Sequence, residues 1–179
     1  MARTREIAEA YRLPILQQEG VEADDLIATA VRVAREEGKR VVVVSADKDL
    51  MQLVCETVVL WDTMRERVFG APEVEERYGV RVDQLRDLLA LVGDASDNVP
   101  GVPSVGPKTA AELLTRFQTL EGLYEHLDQI ERKKLRDNLL EHRDLALLSQ
   151  KLVTLDHDRP LDFDVEALRF RGGHPAQLQ

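Results

Sequence analysis

The sequence predicts an α/β layer built on a parallel sheet, followed by an α-helical module. Three observations carry this expectation. Four β-branched residues in a row, Val41 to Val44, stand next to an amphipathic helical pattern. That combination marks a central parallel strand covered on both faces. Acidic residues gather just past apolar elements, where open α/β sheets place their ligands. From Gly93 the character changes: Gly, Pro, Ser and Asn cluster over residues 93–107, and only helical patterns follow. The boundary is expected within 93–100, with residues 1–96 forming the α/β layer and 97–179 the helical module.

The elements follow in order. Residues 4–13 read as a short helix ended by Pro14. Leu26, Ile27, Ala30, Val31 and Ala34 recur at helical spacing, and Gly38 supplies the stop. The valine strand comes next. Residues 57–61 and 67–69 are further strands joined by a polar turn. Residues 72–78, with Pro at the opening turn, and 82–92 are helices. In the second module a helix is expected over 107–117 and a longer one over about 130–152, carrying Leu135, Leu139, Leu140, Leu147 and Leu148. Pro160 ends the helical region, and a polar Gly-Gly-His-Pro tail follows.

Composition narrows the function classes. Of 179 residues, 44% are hydrophobic and 32% charged, enough for a core and a solvated surface. No run is long enough to span a bilayer, and the first residues lack the apolar centre of a signal peptide. The single cysteine, Cys55, fits a reducing cytoplasm and reads as a small buried residue. The net charge of −9 argues against a phosphate-backbone binder unless the acids form a cation site, where bound metal reverses the local field.

The acids fall into three groups. Glu22, Asp24 and Asp25 open the second helix, Asp47 and Asp49 follow the valine strand, and Asp94 and Asp97 follow the apolar helix. Each alone has a plainer reading: acids favour the first turn of a helix, Asp47 can cap one, and Asp94 and Asp97 suit a turn. Together, if they converge, their repulsion calls for cations. All-oxygen ligation without His or Cys suits Mg²⁺ or Mn²⁺, and two such ions about 4 Å apart clamp a phosphodiester.

Gly101, Val102, Pro103, Ser104, Val105, Gly106, Pro107, Lys108 and Thr109 form a second constellation. Two glycines five apart bracket a short apolar turn, and a helix opens at Pro107. Its free N–H groups and positive dipole end, with Lys108 and the Thr109 hydroxyl, are the chemistry of a helix–hairpin–helix holding a DNA backbone. A plain interhelical turn is the alternative. The basic run Arg132-Lys133-Lys134 reads as a solvated helix face, and Trp61 as core.

The order VEADD, SADKDL, GDASDNVPGVPSVGPKTA resembles the 5′-nuclease domain of bacterial DNA polymerase I, a family that includes flap endonucleases and phage 5′-exonucleases. The resemblance covers roughly residues 13–163. It implies a PIN-like or resolvase-like layer followed by a helix–three-turn–helix module. It implies that Glu22, Asp24, Asp25, Asp47 and Asp49 hold catalytic metal, that Asp94 and Asp97 serve mainly a second ion, and that Gly101, Val102, Ser104, Val105, Gly106, Lys108 and Thr109 hold duplex DNA, with K⁺ on hairpin carbonyls. Substrates would be DNA with 5′ flaps, nicks or ends and RNA primers, in a bacterial cytoplasm. The chain would act as a monomer, with a DNA polymerase attached or separate.

The sequence also departs from that family. The family's first strand, its aspartates and its basic helical arch have no counterpart upstream of Glu22. The chain is therefore expected to be a fragment lacking the amino-terminal third, or a shortened homologue, and a poor nuclease alone. The rival reading is a non-catalytic fragment that grips duplex DNA through the hairpin only. A PIN-like RNase would share the acidic layer but not the hairpin.

Overall fold

The computed structural model describes residues 2–160, 164–170 and 172. The chain forms two compact units, one from Met1–Lys39 with Leu155–Gln179, the other from Arg40–Thr154.

In the first unit, α1 (Ala2–Ala10) ends three residues earlier than expected. Arg12 adopts a positive φ of 54°, and Leu13 N–H closes on the Ala8 carbonyl. Helix α2 (Ala23–Glu36) buries Leu26, Ala28, Thr29 and Val31. It ends where Gly38 turns left-handed, with Gly38 and Lys39 N–H bonded back to Arg35 and Ala34. The late segment lies along α2. Arg159 N–H donates to Thr29 Oγ1 at 3.2 Å, and Arg32 Nε to the His157 carbonyl at 2.9 Å. The tail expected after Pro160 falls mostly outside the described residues.

The second unit begins with a three-stranded sheet: β1 (Val41–Val44), β2 (Val58–Asp62) and β3 (Arg67–Phe69). Strand β1 pairs parallel to β2, with Val41 opposite Val58, and β3 pairs antiparallel to β2. The valine strand is thus at an edge, not central. Val42 and Val44 are 57% and 59% exposed, and only Val43 is buried. Strand β2 holds the middle, and its Val58 and Leu60 are fully buried. Trp61 is exposed rather than core, because side chains alternate along β2 and its neighbours Leu60 and Asp62 take the buried face. Cys55 is half-buried, at the bridge that opens β2.

Helix α3 (Ala71–Tyr78) opens with Glu73 accepting the Gly70 N–H and closes on a left-handed Gly79. The stretch expected as one helix over 82–92 begins as a 3-10 turn, Val82–Gln84, and continues as α4 (Leu85–Val92). Helix α4 is the axis of this unit. It packs on α5 (Pro107–Phe117) and α8 (Arg143–Val153), with Leu85, Leu88, Leu89, Ala90 and Leu91 buried. Asp87, buried on α4, accepts hydrogen bonds from Leu120 N–H (2.8 Å) and Gln150 Nε2 (2.6 Å), tying in α6 (Leu120–Glu125) and α8.

The single long helix expected over 130–152 is two, α7 (Lys133–Glu141) and α8. His142 breaks it, with φ −106° and ψ 22°, and its ring Nδ1 sits 3.0 Å from the Asn138 carbonyl. Residues 130–132 precede α7 as extended chain. Leu139 before the break and Ala146, Ser149 and Val153 after it are buried. Leu140, Leu148 and Leu152 remain exposed.

Candidate functional site

The second unit gathers three of the predicted acids. Past β1 the chain enters a 3-10 helix (Asp49–Leu53) through two side-chain–backbone turns. Ser45 Oγ accepts the Asp47 N–H, and Asp47 Oδ1 accepts the Asp49 N–H, both at 3.0 Å. Asp47 is exposed, and Asp49 is carried inward, held by the buried Leu50, Met51 and Leu53. After α4, residues 94–99 fold into a tight loop. Asp94 and Val99 exchange N–H···O bonds of 2.8 Å, and Asn98 takes a positive φ. Asp94 Oδ1 accepts from Ser96 N–H (3.0 Å) and Ser96 Oγ (2.6 Å).

These two loops bring carboxylate oxygens of Asp49, Asp94 and Asp97 within 4.8 Å of one another. Two unit charges at that separation repel by roughly 3 kcal/mol at an effective dielectric of about 20. The titration of the group reflects this. Burial first, and then Asp47, pushes Asp49 up to about 6. Burial alone would raise Asp94 as well, but Lys48 and Ser96 hold it at about 2. Asp97 is raised because it shares a hydrogen bond with Asp94. Lys48 places its ammonium on Asp94 Oδ2. Asp49 Oδ1 is buried and accepts no hydrogen bond. A buried, unpartnered carboxylate oxygen in a cluster already drawing one cation fits a site for an oxygen-ligated divalent ion.

The first acidic group belongs to the other unit. Glu22 is exposed at the start of α2 and makes no side-chain cap. Asp24 is half-buried in the first turn. Asp25 is engaged: its Oδ2 takes Arg159 Nη2 (2.9 Å) and Nε (3.2 Å), and its Oδ1 takes the Asp156 N–H (2.9 Å). Sequence reasoning missed Lys48, Ser96 and Arg159. Lys48 had a signal in the alternating Asp-Lys-Asp; Arg159 had none, 134 residues from its partner.

The predicted DNA-holding turn follows the acid loop directly. Gly101, with φ 62°, stacks its backbone on the end of α4. A Cβ there would lie 2.4 Å from Gly93 N and 2.5 Å from the Val92 carbonyl carbon. The Gly101 N–H donates to the buried Ser149 Oγ at 3.0 Å, and the Val102 N–H to the Leu91 carbonyl at 2.8 Å. Val102 and Val105 are buried. Gly101, Val102 and Val105 thus anchor the turn, and their N–H groups are already bonded within the fold. Ser104, with φ 63°, and Gly106 form its exposed tip, and Asn138 Nδ2 braces the Pro103 carbonyl at 2.7 Å. Helix α5 then opens at Pro107. Among the described residues, the N–H groups of Gly106, Lys108 and Thr109 meet no backbone acceptor. A hollow of about 620 Å³ beside Lys108 includes Arg77 and Tyr78, and one of about 340 Å³ beside Ser104 and Thr109 includes Arg132 and Lys134.

The sequence matches the 5′-3′ exonuclease N-terminal resolvase-like domain over residues 1–79 and the 5′-3′ exonuclease C-terminal SAM fold over residues 80–176. The chain belongs to the 5′-3′ exonuclease family. A family member, DNA polymerase I of Rhizobium leguminosarum, is 47% identical over 164 residues, which cover 92% of this chain and 16% of the relative. Flap endonuclease Xni of Vibrio campbellii is 39% identical over 162 residues, 90% of this chain and 62% of the relative. Among solved structures, bacteriophage T5 flap endonuclease in a pseudo-enzyme–product complex with DNA and metal ions superposes with a TM-score of 0.72 at 26% identity, covering 78% of this chain and 52% of that one. The chain thus spans about a sixth of the polymerase and less than two thirds of either nuclease. The α/β layer and helical module expected from sequence are the family's resolvase-like and SAM-like parts. Among the described residues no helix is long and apolar enough to cross a membrane.

Proposed function

We propose that this chain carries the metal-binding and duplex-binding parts of a 5′-nuclease that hydrolyses phosphodiesters at 5′ flaps, nicks or ends of DNA and on RNA primers. The observation that carries this reading is the Asp49–Asp94–Asp97 cluster, whose Asp94 and Asp97 lie on the loop that leads directly into a hairpin whose tip offers free N–H groups and Lys108. The oxygen-only donors suit Mg²⁺ or Mn²⁺. Bound there, divalent ions supply an activated water and stabilisation of the leaving oxygen. The chain's own part is to hold three carboxylates against their repulsion and to place the duplex. Asp47 positions Asp49 by accepting its N–H, and Glu22, Asp24 and Asp25 are assigned to the same chemistry by the family resemblance. Gly106, Lys108, Thr109 and Ser104 meet the phosphates, Gly101, Val102 and Val105 set the turn, and K⁺ is assigned to the hairpin carbonyls.

The proposed division is residues 1–96 for the α/β layer with its metal site and 97–179 for the duplex-binding helical module, with Asp97, at the boundary, serving the metal cluster. The protein is proposed to work as a monomer in the bacterial cytoplasm, beside or attached to a DNA polymerase. Duplex binding without cleavage is the second reading. It is favoured by Asp25, whose carboxylate is fully engaged by Arg159 and Asp156.

The test is cleavage of a 5′-labelled flap duplex in Mn²⁺, with duplex affinity measured in parallel. Mn²⁺-dependent release of the labelled strand, lost in Asp94→Asn with duplex affinity retained, supports the nuclease. Binding by both proteins without cleavage by either leaves the duplex-binding reading. Cleavage at full rate by Asp94→Asn removes the cluster from the chemistry.

A further inference from the structure

Lys48 stands between two of the predicted acids in sequence and pairs with a third. Its ammonium rests on Asp94 Oδ2. The other oxygen of that carboxylate is already taken, because Oδ1 accepts both the N–H and the hydroxyl of Ser96. Asp94 is buried within the loop, and the oxygen that Ser96 leaves is the one on which Lys48 rests, with Asp97 alongside. Across the cluster, Asp49 Oδ1 is buried and unpartnered, and Asp97 lies within the same 4.8 Å. An ammonium and a divalent ion therefore compete for one oxygen. The lysine can yield it: its side chain is about a third exposed, and Asp94 is its one ion-pair partner among the described residues.

Charge favours the exchange. Three carboxylates and one ammonium leave the group at −2, unbalanced while Lys48 is the only cation present. A divalent ion brings two charges to the same place and can also engage Asp49 Oδ1, which Lys48 leaves unpartnered. A lysine ammonium is a compact point charge on a flexible stem, with three donors and no rigid fork to defend its place.

We propose that Lys48 is the built-in counter-ion of the acidic cluster, holding Asp94 while no divalent ion is bound and displaced from it when one binds. The proposal rests on the metal-binding reading above and assigns Lys48 a role opposed to that of a ligand. Lys48 keeps the cluster from springing apart before metal arrives, and it weakens metal binding by the work of its own removal.

The experiment is Mn²⁺ titration followed by the electron paramagnetic resonance of free Mn²⁺, on the chain, Lys48→Met, Lys48→Arg and Asp94→Asn. Lys48→Met should bind Mn²⁺ about 10-fold more tightly than the unaltered chain, and Lys48→Arg should bind it no more tightly. Melting in EDTA supplies a second readout. Lys48→Met should melt lower than the unaltered chain without metal, and the gap should close in saturating Mn²⁺. Equal or weaker Mn²⁺ binding by Lys48→Met, with binding lost in Asp94→Asn, overturns the proposal and leaves the metal site standing. Absence of Mn²⁺ binding in every protein overturns both.

Discussion

The acid loop and the hairpin that follows it are built on opposite plans. In residues 94–99 the backbone is consumed internally. Asp94 and Val99 exchange both of their hydrogen bonds, Ser96 N–H turns inward, and the side-chain carboxylates are what the loop presents. In residues 101–109 two apolar side chains are buried and the tip is left exposed. Val102 and Val105 are buried, Asn138 and Ser149 brace the turn, and backbone N–H groups are what it presents. A divalent ion needs concentrated negative charge, which only side chains supply. A phosphate held without regard to base needs donors independent of side-chain identity, which the backbone supplies. The two plans meet where Gly93 and Gly101 touch.

That meeting point is where the comparison breaks most severely. Gly101→Ala forces a Cβ into backbone at 2.4–2.5 Å and keeps a positive φ of 62°. Strain and overpacking together should cost about 3 kcal/mol or more, read by urea denaturation. Both Mn²⁺ and duplex binding should fall together. Loss of one alone would show that the loops are set independently.

A smaller change should separate them. Ser149→Ala removes the acceptor of the buried Gly101 N–H and should cost about 1–3 kcal/mol. Duplex affinity should suffer more than Mn²⁺ affinity, because Asp94 keeps Ser96 and Val99. Equal losses on titration calorimetry would place Ser149 in support of both loops.

Lys108→Ala should act on the hairpin alone. Its exposed ammonium contributes one phosphate contact, so every duplex should bind roughly three-fold more weakly and the salt slope should fall by about 0.9. A loss confined to particular base sequences would point to base readout instead.

The smallest effect concerns an acid on the structural side of the comparison. Asp62, buried at the end of β2, accepts Arg65 Nη1 (2.6 Å) and the N–H groups of Met64 and Arg65. The Arg65 side chain, outweighing burial, holds it below the usual carboxylate range. Its folded value is thus below its unfolded one. The stability it gives is present above the unfolded pKa and lost as pH falls through the folded pKa. Asp62→Asn should therefore be less stable than the unaltered chain at pH 7, and the gap should narrow below pH 4, near the unfolded value of about 3.9. A gap that persists unchanged into acid would show that shape, not charge, holds the turn.

Much of this was legible in the sequence, and the failures have identifiable causes. That Asp49, Asp94 and Asp97 lie together could be expected because each follows an apolar element whose length fixes where the chain emerges. Asp47 and Asp49 alternate, and an alternating pair does not reveal that Asp47 Oδ1 also accepts the Asp49 N–H. The four valines named a strand but not its neighbours, since an apolar run carries no information about which strand pairs on each side. The break at His142 was hidden because the buried positions Leu139, Ala146, Ser149 and Val153 keep helical spacing across it. The inward-facing role of Gly101 could not be read, because the demand for a missing Cβ comes from Gly93 and Val92 in space.

The first unit is discontinuous, its two parts separated by the whole of Arg40–Thr154. During synthesis from the amino end, the inserted stretch can complete its contacts as soon as Thr154 is available. Helix α2 has to wait longer. The partners of Asp25, Thr29 and Arg32 are residues 156 to 159, so none of those bonds can form until that segment has been made. Domains ordinarily fold from the amino end onward during synthesis. Here the order is inverted, and α2 completes its contacts only after the stretch made behind it has folded.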